Sequence, residues 1–193
     1  SFYSLLDEDV HAYSNFDYNY YTTIGKSHDS RGDADVVKDR PLSAGIDWGA
    51  VINTMVICQN LANELRALKS FYVLGDKGET QDDLADAFIK YYQHHPTKVL
   101  NLFYDNTGNN RTGNTKLTRA QQFMKRLTAA GWRVVPLTEG GANVKHETKH
   151  HIWEAILRET DMRLPRFRIN STNARDLLVS MQNAQVIATS TGF

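Results

Sequence analysis

Cysteine is nearly absent: Cys58 is the only one in 193 residues. An internal disulfide is therefore impossible, and a cysteine-based zinc finger is excluded. Set in the apolar run MVICQ, Cys58 reads as a small core residue rather than a nucleophile, and a chain without disulfides fits a reducing compartment. Excess charge of either sign is lacking too, because 22 Lys and Arg balance 22 Asp and Glu. A neutral chain does not hold nucleic acid by overall charge; it needs a basic face, a tethered partner, or carboxylates gathered at a metal site. No apolar run approaches the ~20 residues that span a bilayer, so no membrane partner is expected. The opening SFYSLLDEDV has neither the basic start nor the apolar core of a signal peptide. There is no GxxxxGK[ST] phosphate-binding loop, no internal repeat and no low-complexity tract. The remaining composition, 41% hydrophobic and 23% charged, is that of a soluble globular protein, and the length suits one domain or one domain with a tail.

Residues 1–41 differ from the rest. They are rich in Tyr, Asp and Ser, as in HAYSNFDYNYYTT and SHDSRGDAD, and carry no sustained period. Their aromatics are too frequent for free disorder, so we read a linker or N-terminal extension that packs on something and ends at Pro41. From Leu42 the pattern sharpens. LSAGIDWGA, VINTMVICQ and LRALKSFYVL predict three closely spaced strands, an antiparallel meander. TQDDLADAFIKYYQHH has helical spacing, with Thr80 as N-cap. KVLNLFY predicts a buried strand ending at Asp105, followed by the polar loop DNTGNNRTGN. LTRAQQFMKRLTAAG predicts a helix closed by Gly131, WRVVPLT a strand, HETKHHIWEAILRE a helix, FRI a short strand and NARDLLVSMQNAQ a last helix. The expectation is an α/β domain over 42–193. Its central mixed sheet joins the antiparallel three-strand meander to parallel strands and is flanked by helices.

Two acids stand out. Asp47 lies within the first strand of the meander, between Ile46 and Trp48, where an unpartnered carboxylate is costly; Gly45 and Gly49 leave room for a close approach. It reads either as a site residue or as a cap on the turn into Val51. Asp105 lies where a strand meets a Gly/Asn loop, the end at which α/β sheets build sites; it reads equally as an Asx-turn residue.

The strand and helix order resembles the RNase H-like fold, in which the first and fourth strands lie side by side. Asp47 and Asp105 would then project toward one another. Paired carboxylates repel unless a cation is present, and hard oxygen ligands favour Mg²⁺ or Mn²⁺. Two such ions support phosphodiester hydrolysis. More specifically, AGIDWGAVINTMVICQ with LRALKSFYV resembles the opening hairpin of phage large-terminase nuclease domains, and LNLFYDNTG their second acidic strand end. DEDVHAYSNFDYNY is similar to the segment joining motor and nuclease in terminases of Bacteroides-type phages or prophages. The resemblance implies that Asp47 and Asp105 are catalytic ligands to two metal ions, and that the substrate is concatemeric double-stranded DNA. It also implies an upstream ATPase motor in the same polypeptide, portal and small-terminase partners, and work in the cytoplasm of the bacterial host. A third acidic ligand is implied near the C-terminal end. We expect the domain to be truncated there and that acid to lie beyond Phe193; Asp176, on a helix position that reads as a solvated face, is the substitute within the chain.

Basic residues supply candidate phosphate contacts. Arg111, Lys116 and Arg119 follow Asp105 around the loop. Lys145, His146 and Lys149 open the helix at HETKH, where they read as DNA contacts or as an exposed first turn. HETKH also matches H-E-x-x-H, which on a helix puts His146 and His150 on one face with Glu147 as a base, the arrangement of a zinc peptidase. Lys149 beside the metal and the lack of a third ligand at a diagnostic spacing speak against it. A non-catalytic DNA-binding or assembly module of the same fold is the other alternative.

Overall fold

The computed structural model describes residues 1–14, 29–111, 115–138 and 144–185. In chain order its elements are a one-turn helix α1 (Glu8–His11) and strands β1 (Ala12–Tyr13), β2 (Leu42–Trp48), β3 (Ile52–Leu61) and β4 (Glu64–Leu74), then α2 (Gln81–Tyr91), β5 (Val99–Tyr104), α3 (Arg119–Ala129), β6 (Arg133–Pro136), α4 (His146–Arg158), β7 (Arg166–Asn170) and α5 (Arg175–Asn183). The strands form one seven-stranded sheet in the order β1-β7-β4-β3-β2-β5-β6. The meander β2-β3-β4 is antiparallel, and β5, β6, β7 and β1 join it in parallel. This is the expected RNase H-like mixed sheet.

The local signals act as their chemistry dictates. Leu42, Ala44, Ile46 and Trp48 of β2 are buried while Gly45 and Asp47 are exposed, the two-residue period of a strand with one covered face. Helices α2 and α3 each begin with a capping box, Thr80 with Asp83 and Thr118 with Gln121. Past α3, Gly131 takes the left-handed backbone (φ 88°) that ends the helix. Phe88 of α2 and Phe123 and Leu127 of α3 cover one face of the sheet, against Met55, Leu100 and Leu102.

The other face is covered on one half only. Leu157 of α4 and Leu178 and Met181 of α5 pack on Phe167 and Ile169 of β7, with Tyr3, Leu5 and Leu6 from the start of the chain. Over β2 and β5 that face stays open: Gly45, Asp47 and Phe103 are exposed. The described parts of residues 1–41 are knitted into the domain. Tyr13 and Asn170 donate to Asp35 at 2.6 and 2.8 Å, and the Gln59 side chain bonds both backbone groups of Val37. Most of the HAYSNFDYNYYTT stretch, the loop centre 112–114, residues 139–143 and the last residues from 186 lie outside the described residues.

Candidate metal and nucleic-acid site

Strands β2 and β5 are parallel neighbours with Ile46 in register with Tyr104. One step further along each chain stand Asp47 and Asp105. The backbone of Asp105 remains extended (φ −83°, ψ 173°), so alternation carries its side chain to the face of exposed Phe103, the face that Asp47 also occupies. Neighbouring strands are ~4.8 Å apart. The two carboxylates therefore leave the sheet side by side, at the carboxyl ends of adjacent parallel strands, where no helix among the described residues covers them.

The turn after β5 fixes one of the pair. The Thr107 hydroxyl lies 2.5 Å from Asp105 Oδ1 and 3.2 Å from the Trp48 carbonyl, linking the two strand ends. The Asp105 side chain makes no cap bond to the backbone of its turn, so it is not an Asx-turn residue. Gly108 is buried in this turn; a Cβ there would lie 2.5 Å from both Trp48 Nε1 and Tyr104 Cδ2. Trp48 itself is a core anchor, 3% exposed and edge-on to Phe123. The carboxylate of Asp47 has no hydrogen-bond or ion-pair partner among the described residues and caps no turn. Across the sheet Asp47 is in register with Thr54, and Thr54 with Tyr72, which is 54% exposed. These residues form a row along the open face.

Of the expected basic contacts, Arg111 and Lys116 are exposed on the loop that follows Asp105, and Arg111 pairs with Thr118. Arg119, at the start of α3, reaches the Gly49 carbonyl at 3.3 Å, next to the end of β2. Lys145, His146 and Lys149 are exposed at the start of α4. That helix packs on β7, three strands from β2, or ~14 Å across the sheet. Glu79 accepts the Leu74 N–H at 2.6 Å and braces the turn into α2.

Asp176, read from sequence as a solvated helix position, is exposed but sits where α5 meets the sheet. Its Oδ2 lies 3.5 Å from Ser70 Oγ, and with Thr54, Ser70 and Tyr72 it lines a cleft of about 360 Å³. Ser70 is on β4, two strands from β2, so Asp176 borders the row of Asp47 from ~10 Å away. Its spatial partner is 106 positions distant in sequence, which no local pattern signals. The H-E-x-x-H residues do not converge: among the described residues, the His, Cys, Asp and Glu side chains whose ligand atoms come together as a trio are His150, His151 and Glu154, without His146 or Glu147. Burial pushes the Cys58 thiol to about 12, which leaves it inert at neutral pH.

No protein-family model matches the sequence, and neither does any curated protein. Solved structures do. The large terminase of a thermophilic bacteriophage superposes in two crystal forms, with TM-scores of 0.55 and 0.56 and identities of 13% and 12%. The match covers 94% and 93% of this chain but 36% and 35% of that one, so the chain spans about a third of the length of the terminase it matches. The nuclease domain of the bacteriophage SPP1 large terminase, solved with bound Mn, overlaps less: TM-score 0.47, 15% identity, 77% of this chain and 72% of that one. Among the described residues no helix is long and apolar enough to cross a membrane. What the likeness shows is the fold: the mixed sheet has the RNase H-like strand order, and about a third of that terminase shares it.

Proposed function

We propose that this chain is the nuclease part of a phage DNA-packaging terminase, a metal-dependent endonuclease that hydrolyses phosphodiester bonds of concatemeric double-stranded DNA. The observation that carries the reading is the parallel register that sets Asp47 beside Asp105 on the open face. The donor set fits a hard divalent ion: two carboxylates at adjacent strand ends, one of them without a protein partner among the described residues. Asp47 and Asp105 would hold it, and bound Mg²⁺ or Mn²⁺, as one ion or two, supplies an activated water and neutralises charge on the phosphate.

The chain's own groups do the rest. Thr107 fixes the rotamer of Asp105, so the pair meets the ion preorganised. Arg119, Arg111 and Lys116, beyond the same strand ends, position the DNA backbone without reading bases. The uncovered face over β2 and β5 leaves room for a duplex. Asp176, at the border of that face and ~10 Å from the row of Asp47, is the candidate within the chain for a third acid. An ATPase motor earlier in the same polypeptide, a portal and a small terminase subunit complete the reading, with the work done in the cytoplasm of the bacterial host.

Nicking of supercoiled plasmid with Mg²⁺ and with Mn²⁺ tests it. Metal-dependent cutting is expected, falling ~100-fold or more in Asp47→Asn and in Asp105→Asn, the scale of losing one catalytic group. Asp176→Asn is expected to fall with them. Mutants that cut as fast as the wild type would remove these aspartates from the site. Metal-dependent cutting lost only in the first two would place the third ligand elsewhere.

A further inference from the structure

We propose that His150, His151 and Glu154 of α4 form a binding site for a borderline divalent transition metal of the Zn²⁺ class, separate from the aspartate pair. The geometry is specific. One carboxylate oxygen, Glu154 Oε2, lies 3.6 Å from His150 Nδ1 and 3.8 Å from His151 Nδ1, and all three ligand atoms fall within 4.8 Å of one another. Zinc bonds of ~2.0–2.2 Å in a tetrahedron place ligand atoms ~3.4 Å apart, so small side-chain rotations close the site. Two imidazoles and one carboxylate select Zn²⁺, Ni²⁺ or Cu²⁺ over Mg²⁺. His151 is 68% exposed, which leaves the fourth position to water or an outside ligand.

The site also touches the start of the chain. The Phe2 ring meets the His150 ring edge-on at 5.2 Å, Tyr3 meets Trp153 at 5.5 Å, and the Phe2 N–H donates to the Ala184 carbonyl at 2.8 Å. Fixing the His150 ring therefore stiffens the seat of the N-terminal residues. The H-E-x-x-H pattern thus marks the right helix but the wrong set: the converging ligands are His150 and the two residues one and four positions on, not His146.

The test is Zn²⁺ titration of tag-free full chain by calorimetry, with imidazole nitrogen shifts followed by NMR. One saturable Zn²⁺ event is expected to carry the shifts at His150 and His151, besides any Zn²⁺ that the aspartate pair takes. His151→Ala and Glu154→Gln, neither in the buried core, are each expected to weaken it ~tenfold or more. His146→Ala and Asp47→Asn with Asp105→Asn are expected to leave it within about twofold, since none supplies a ligand. Absence of binding, undiminished affinity in the first two variants, or loss in His146→Ala would each overturn the proposal.

Discussion

The Asp33 carboxylate accepts the Tyr91 hydroxyl at 2.8 and 3.0 Å and the Asn173 amide at 3.0 Å, yet it is only 7% exposed. Burial raises it and neighbouring Asp35 adds to the rise; against the pull of those hydrogen bonds, the pKa climbs from 3.8 to about 6. The unfolded chain releases this proton near 3.8. Between that pH and about 6 the native state holds more of the proton, so stability falls as pH rises through the window and the loss is complete above it. At ~1.4 kcal/mol per pH unit the cost is about 3 kcal/mol. Asp33→Asn keeps the shape without the charge. Relative to wild type it is expected to be about 2–3 kcal/mol more stable at pH ~7 and to gain little near pH ~3.5, as measured by urea unfolding at each pH. A difference that stays constant with pH would show that Asp33 titrates normally in the folded chain.

The turn after β5 depends on one missing side chain. The methyl group of Gly108→Ala would meet Trp48, which is 3% exposed and has nowhere to go, and Tyr104, the residue just before Asp105. Overpacking of this kind costs about 1–3 kcal/mol, and the displaced turn carries Asp105 with it. We expect a lowered denaturation midpoint together with a ~tenfold or larger fall in metal-dependent nicking. Destabilisation with undiminished nicking would show that the turn does not set the position of Asp105. The same stretch shows what can be read in advance. The strand LNLFY, its end at Asp105 and the capped helices α2 and α3 are written in alternation, caps and breakers, all of them local. Strand β1 is not legible, because two residues have no period and their partners Ile169 and Asn170 lie at the far end of the chain. The place of Asp176 escapes the sequence for the same reason: helical spacing tells which face is polar, and only the fold tells what that face borders.

At the scale of the whole molecule, the boundary at Pro41 marks a change of composition, but the described residues before it belong to the same packed body. Tyr3, Leu5 and Leu6 sit against the cluster of Leu157, Phe167 and Leu178. Strand β1 covers the outer side of β7, and Asp35 satisfies the fully buried Asn170. Removing residues 1–41 uncovers those side chains, makes β7 an unprotected edge and strips Asn170 of an acceptor. Each partly buried Leu or Tyr is worth about 1–2 kcal/mol, and a chain of this size loses ~2–4 °C in Tm per kcal/mol. A chain starting at Leu42 is therefore expected to melt roughly 10 °C or more below the full chain and to bind a hydrophobic dye before it unfolds. The aspartate pair would stay in place, because β2 and β5 pack in the cluster built on α2 and α3, of whose buried members only Val36 is removed. Residual metal-dependent nicking below the lowered Tm is thus part of the expectation. A shortened chain that melts within about 2 °C of the full one would make the first 41 residues a passenger and put the domain border at Pro41, where composition alone draws it.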